Sequence, residues 1–162
     1  MRAVLAIVAA LAAAPLAAED NAADEAEVIA ASEAFFAAIG SDDKTALARV
    51  MDPAGMIYIH DRMDPSAPEV IVVPVAKHLE NWLKSPKGLE ERMIYTAVLV
   101  DGDMAMAWGP YRFMMNGKTT HCGIDMLSLV KRADSWKVAN TSFSMVPPDQ
   151  CEALGAPGVT TP

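Results

Sequence analysis

Two short hairpin turns in the second half of the sequence constrain the fold more than any other feature. The dipeptides Asp101-Gly102 and Asn116-Gly117 each separate extended, apolar-rich runs. Such pairs favour two-residue hairpin loops, because both central positions of that turn need a positive φ. With a further connection over 131–134, they predict a meander of four antiparallel strands over residues 89–100, 104–115, 119–130 and 136–145.

The N-terminal half predicts helices instead. Val28, Phe35 and Ile39 recur near helical spacing over 22–39, and Gly40 ends that helix. A second, short helix carries Leu47, and a third begins after Pro74 and carries Leu79 and Trp82. Two short extended segments, 56–60 and 69–73, lie between them. Three helices followed by a sheet predict an α+β domain.

Residues 1–18 have the pattern of a secretory signal peptide, with Arg2, an apolar run and small residues before Glu19. The apolar run is shorter than the ~20 residues of a membrane span. We therefore expect a periplasmic or secreted protein with no membrane association after signal removal; an uncleaved anchor is the alternative. Residues 19–151 then form one domain, and the Pro-, Gly- and Ala-rich tail over 152–162 is expected to be mobile.

Charge and composition exclude several classes of partner. The net charge is −8, and no basic stripe is present, so we expect no nucleic-acid binding. No CxxC or His-rich spacing is present either, so we expect no metal and no cofactor. The methionine-rich strands favour core or interface packing over a cofactor site.

The hairpins set a predicted register for the sheet. In it, Val100 pairs with Asp103 and Met115 with Lys118, so that Trp108 lies opposite Asp125 and Arg112 lies between Glu91 and His121. A four-residue loop over 131–134 adds Asn140 opposite Asp125. One sheet face then combines an apolar end with polar groups at its centre, as in small-molecule sites. The polar centre comprises Tyr95, Trp108, Arg112, His121, Asp125 and Asn140.

Four sequence segments carry a resemblance to a known family: 35–39, 100–105, 121–125 and 135–138, which are FFAAI, VDGDMA, HCGID and SWKV. The chain resembles the nuclear-transport-factor-2-like superfamily, in particular its SnoaL-like and lumazine-binding branches. The resemblance implies a cone-shaped domain in which a curved antiparallel sheet wraps around three N-terminal helices and encloses a pocket. It also implies that a homodimer can form. Members include isomerases, dehydratases, epoxide hydrolases and proteins without known catalysis.

The predicted function is binding of a small, partly apolar molecule. We expect the ligand-binding residues to be His60, Trp82, Tyr95, Trp108, Arg112, His121, Asp125 and Asn140. The alternative is a cofactor-free isomerase, cyclase or dehydratase, in which Asp125 is the acid or base and His121 or His60 assists. Structural roles stay open for each: Asp125 can bond a core partner, Arg112 can pair with Glu91, and the outward sheet face can serve dimerisation alone.

The two cysteines, Cys122 and Cys151, predict a disulfide. Cys122 alternates with His121 and so lies on the outward sheet face, and Pro147-Pro148 lets the tail return across that face. An even number of cysteines in an exported chain favours a bond. The alternative is two free thiols, with Cys122 packed against Phe143.

Overall fold

The computed structural model describes residues 17–159. The predicted signal peptide therefore lies outside the described residues, apart from its last two positions. Within these residues the structure has three α-helices and seven strands: α1 (Ala17–Gly40), α2 (Leu47–Val50), β1 (Met56–Asp61), β2 (Glu69–Pro74), α3 (Val75–Trp82), β3 (Leu89–Met93), β4 (Ala97–Asp101), β5 (Met104–Met115), β6 (Lys118–Arg132) and β7 (Ser135–Met145). No helix within 17–159 is long and apolar enough to cross a bilayer.

The strands form one sheet in the order β2-β1-β7-β6-β5-β3, with β4 also paired to β5. The sheet is mixed, because β1 runs parallel to β7 while all other pairs are antiparallel. The α+β class is confirmed. The expectation of an antiparallel sheet is wrong at β1, which lies beside the last strand, β7, and runs parallel to it.

Helix α1 packs against one face of the sheet, which we call the inner face. Val28, Phe35 and Ile39 of α1 are buried, and α1 packs against β3, β4, β5 and β7. Leu127 and Leu129 of β6 are fully buried beneath them. The spacing of these apolar residues follows the helical period in α1 and the two-residue period in β6, so both elements bury one side.

The predicted two-residue turn at Asn116-Gly117 is confirmed. The turn predicted at Asp101-Gly102 lies one residue further along the chain, at Gly102-Asp103. Asn116 and Gly117 have φ of 52° and 74° and join Met115 to its partner Lys118. In the first hairpin Asp101 pairs with Met104, so Val100 lies opposite Ala105 rather than Asp103. Gly102, with φ of 60°, is the first central residue of that turn.

Irregularities in three strands overturn the predicted register. The β5–β6 pairing shifts between Phe113 and Met114, so His121 lies opposite Phe113 and Asp125 opposite Gly109. A second shift, between Ser128 and Leu129 on β6, places Asp125 opposite Phe143 on β7. The third is a break between β3 and β4, which puts Glu91 opposite Phe113. The predicted pairs Trp108–Asp125, Arg112–His121, Glu91–Arg112 and Asn140–Asp125 are therefore wrong.

The predicted disulfide is present. Cys122 and Cys151 are bonded, with their Cα atoms 5.6 Å apart, and both are fully buried. Around them, Val146 and Ala156 complete a small cluster on the outer face of the sheet. The C-terminal segment thus packs across that face at least as far as Ala156.

Candidate functional site

A cavity of about 210 Å³ lies between the inner face of the sheet and the three helices. Its wall is mostly apolar and aromatic. The apolar lining comprises Phe35, Ile39, Leu47, Met51, Ile57, Ile59, Trp82, Phe113, Phe143 and Met145. Such a surface favours the apolar part of a ligand, because burying that part removes it from water.

Two carboxyl groups face this apolar cavity, Asp125 from β6 and Glu91 from β3. Asp125 is only 2% exposed, and its Oδ1 has no hydrogen-bond partner among the described residues. Burial raises the pKa of Asp125 to about 7, although the backbone N–H of Met126 opposes the change. Burial and the charge of Asp125 also raise the pKa of Glu91 well above its usual value. The cavity thus contains acids that retain protons at pH values where exposed carboxyls are ionised.

His121 lies on the same strand as Asp125 and is held by aromatic rings. Its imidazole stacks on Phe113 with ring centroids 5.0 Å apart, and it contacts the edge of Tyr111. Burial lowers the pKa of His121 to about 4, against an opposing effect of the Asp61 charge. The ring is therefore neutral at pH 7, and its Nδ1 lies 3.0 Å from the hydroxyl of Thr120. A neutral imidazole can donate or accept a hydrogen bond but supplies no positive charge.

The structure brings three of the predicted site residues to the cavity: Trp82, His121 and Asp125. Tyr95 is directed towards α1, where its hydroxyl donates to Glu33 at 2.8 Å, and it does not line the cavity. The remaining four lie elsewhere on the sheet. Those four are His60, Trp108, Arg112 and Asn140.

The outer face of the sheet holds these residues. Trp108 is 43% exposed there and, with His60, borders a separate surface depression. The expectation that Trp108 points towards the helices is wrong, because the bulge in β6 separates its face from that of Asp125. Asn140 accepts a hydrogen bond from the backbone N–H of Met56.

Arg112 contacts other parts of the protein and does not face the cavity. It is 4% exposed, and its guanidinium donates to the carbonyl of Pro157, to Glu152 and to Thr119. The expected ion pair with Glu91 is wrong, since Glu91 lies on the opposite face of the sheet. Arg112 instead holds the C-terminal segment against the outer face.

Four polar cavity residues were absent from the predicted site: His78, Glu91, Tyr111 and Thr141. Tyr111 is almost fully buried, and its hydroxyl donates to the carbonyl of Ser144 at 2.9 Å. Burial lowers the pKa of His78 on α3. Side chains alternate between the two sheet faces along β5, so a predicted register one residue different would have placed Tyr111 on the cavity face. Within 17–159, no three His, Cys, Asp or Glu side chains are grouped so as to hold a metal ion.

Solved structures with the same arrangement of elements identify the fold. An NTF2-like protein of unknown function from Silicibacter pomeroyi is 17% identical, with a TM-score of 0.58 over 76% of this chain and 97% of its own. A second, from Shewanella baltica, is 12% identical, with a TM-score of 0.59 over 78% and 96%. The chain has the NTF2-like fold. A ketosteroid isomerase-like protein from Erwinia carotovora atroseptica shares this NTF2-like fold at 18% identity, with a TM-score of 0.55 over 77% and 98%.

Comparisons of sequence add nothing to this NTF2-like assignment. No family model matches the chain, and no curated protein matches it either. Identities below 25% establish the fold alone, so the function of this NTF2-like chain has to be argued from the cavity.

Proposed function

We propose that this NTF2-like chain binds a small, mainly apolar molecule in the inner cavity, with a polar group of that molecule placed against Asp125. The unpartnered Oδ1 of Asp125 carries the proposal. Buried polar atoms nearly always have a hydrogen-bond partner, and leaving one without a partner costs about 1–3 kcal/mol. A ligand that supplies the missing partner offsets this cost, and the apolar wall binds the rest of it.

The cavity also limits the size of the ligand and the kind of polar group that it can carry. Its volume of about 210 Å³ is below the ~300–1,000 Å³ of sites for drug-sized molecules. Because burial keeps Asp125 and Glu91 protonated to higher pH than usual, each can donate a hydrogen bond to a ligand oxygen. The ligand is therefore small, and it carries a hydrogen-bond acceptor for the carboxyl end of the cavity.

Native mass spectrometry of protein purified from its own host tests the binding proposal. We expect an additional mass that dissociates as a small molecule. The variant Ile59→Trp fills part of the cavity and should lose that mass. Tyr58→Trp, which introduces the same residue on the exposed side of β1, should retain it. A folded wild-type protein without bound molecule, and without any increase in melting temperature across a library of small apolar compounds, would contradict the proposal.

A second candidate is acid–base catalysis, favoured specifically by the pKa of about 7 for Asp125. A group with a pKa near the working pH can both accept and donate a proton efficiently. In this role Asp125 moves a proton on a carbonyl or ring substrate without a cofactor, as an isomerase, cyclase or dehydratase, and neutral His121 holds a substrate oxygen. A ¹³C-NMR titration decides it: an Asp125 carboxyl that titrates near pH 4 removes this candidate.

Location and assembly are further parts of the proposal. The disulfide supports a periplasmic or secreted location, because such bonds persist in oxidising compartments. Exposed Leu99, Trp108 and Met104 support a homodimer through the outer face of the sheet. The packing of α1 against β3, β4, β5 and β7 supports the cone shape that the resemblance implies. Analytical ultracentrifugation of the wild type and of Trp108→Lys tests the dimer, which should become a monomer in the variant.

A further inference from the structure

Two hydrogen-bond donors beside the cavity have no acceptor within residues 17–159. The Nε1 of Trp82 on α3 and the Nζ of Lys44, in the turn between α1 and α2, are both buried without a partner among the described residues. They lie together, because the Lys44 ammonium is 5.6 Å from the centroid of the Trp82 ring. Trp82 itself lines the cavity. One unpartnered buried donor is uncommon, and two on neighbouring side chains indicate a missing acceptor.

The neighbouring acidic groups do not supply that acceptor. The charge of Lys44 acts on Asp42, but the Asp42 carboxylate bonds Lys87 at 2.8 Å. Asp43 bonds Arg49 and Thr45 instead. The Lys44 ammonium therefore retains its cation–π contact with Trp82. This contact satisfies none of the three N–H donors of the ammonium.

We propose that Lys44 and Trp82 form an anion subsite that binds the carboxylate of a small apolar acid whose body occupies the cavity. A carboxylate suits this pair better than a neutral carbonyl, because it accepts from both donors and also neutralises the ammonium. Near this position, His78 packs against Trp82 with ring centroids 5.4 Å apart and can contribute a further donor. The inference rests on the proposed function and specifies the ligand class: a small aliphatic or aromatic acid whose carboxylate binds at this subsite, apart from the polar group that faces Asp125.

The test uses two matched probes, 3-phenylpropanoate and 3-phenylpropan-1-ol, which differ in the charged end. Affinities are measured by calorimetry, and the Trp82 indole N–H is followed by ¹H–¹⁵N NMR. We expect the acid to bind the wild type at least about tenfold more tightly than the alcohol, since hydrogen bonds to charged groups are the stronger kind. Binding of the acid should also shift the indole resonance downfield.

Two variants remove the donors and one serves as control. Lys44→Met keeps the packing on Trp82 without the charge, and Trp82→Phe removes the N–H. Each should reduce the preference for the acid to about threefold or less. Lys84→Met removes an exposed lysine just beyond α3 and should leave the preference unchanged. Folding of every variant is checked by circular dichroism.

The outcomes separate this inference from the proposed function. If the two probes bind equally well to the wild type, or if Lys44→Met keeps the full preference, the anion subsite is wrong while binding in the cavity stands. If the folded wild type binds neither probe, the anion subsite is contradicted, and the proposed binding function is decided separately by the native mass spectrometry and the compound library described above. An acid preference that both donor variants lose supports both.

Discussion

Asp125 is buried, and burial makes its ionised form less favourable than it would be in water. Its side chain is buried on the inner face, and the unfolded chain exposes the same carboxyl to water. The folded state therefore binds the Asp125 proton more tightly than the unfolded state, with a pKa of about 7 against an ordinary 3.8. Such a difference links the stability of the whole domain to pH.

The sign of this link gives a first prediction. Below pH 4 both states are protonated and Asp125 contributes no pH dependence. Between pH 4 and 7 the unfolded state loses its proton while the folded state keeps it, so stability falls as pH rises. The loss reaches at most about 4 kcal/mol above pH 7. Asp125→Asn, which cannot ionise, should lack this part of the decline.

Urea unfolding at pH 5 and pH 8 measures the effect. The difference in unfolding free energy between the two pH values should be smaller in Asp125→Asn than in the wild type. Comparing differences removes any pH-independent cost of the substitution. Asp103→Asn, at an exposed turn residue, is the matched control and should behave as the wild type. Identical pH profiles for wild type and Asp125→Asn would show that Asp125 ionises normally.

A second prediction concerns His121, whose pKa burial lowers to about 4. Imidazole signals of His121 should therefore titrate near pH 4, well below the ordinary value of 6.5, when followed by ¹H–¹⁵N NMR. For this group, a lowered pKa means that the unfolded state takes up a proton first as pH falls. His121 accordingly reduces stability from about pH 6.5 down to pH 4, and His121→Gln should lessen that loss. A His121 pKa near 6.5 would contradict the described burial.

At the scale of elements, sequence patterns predicted the strands better than their pairing. The predicted ranges of β5 and β7 agree with the structure within one residue at either end. The bulges could not be predicted, because one inserted residue costs little in local propensity and yet reverses the face of everything beyond it. Asp125 and His121 were predicted to share the pocket face with Trp108. The bulge near Thr120 places Trp108 on the opposite face from both of them.

The third prediction concerns Gly109 on β5, a position where the strand arrangement requires glycine. Gly109 lies opposite Asp125, and a Cβ there would be 1.8 Å from the carbonyl oxygen of Ile94. The break between β3 and β4 therefore requires glycine for close approach of two backbones. Gly109→Ala should lower the unfolding free energy by about 3 kcal/mol or more.

The control for this substitution is Gly158→Ala, where a Cβ would meet nothing within 4 Å. Its unfolding free energy should stay within about 0.5 kcal/mol of the wild type. Chemical denaturation measures both variants. A Gly109→Ala protein as stable as Gly158→Ala would contradict the prediction, because it would mean that the segment between β3 and β4 moves away from β5 without cost.

For the whole molecule, the disulfide and Arg112 act on the same segment. Cys151 anchors the tail through its bond to Cys122, and the buried guanidinium of Arg112 donates to the Pro157 carbonyl and to Glu152. The sequence predicted the bond from alternation along β6 and from the position of the prolines. It could not predict the partner of Arg112, because that contact joins positions 45 residues apart and depends on the tail's path.

The last prediction is that the disulfide is needed to keep the tail on the sheet. Closing a loop with a separation of 29 residues stabilises by about 3–4 kcal/mol in the chain-entropy model. Cys122→Ala/Cys151→Ala should therefore lose about that much unfolding free energy, and a reduced wild type should lose a similar amount. Without the bond, departure of the tail leaves the Arg112 charge without Pro157 and Glu152, which adds to the cost. Hydrogen exchange should accelerate around 148–157 in the variant before it does so in β6. If the oxidised wild type and the double variant exchange equally slowly there, Arg112 alone holds the tail and the disulfide is dispensable.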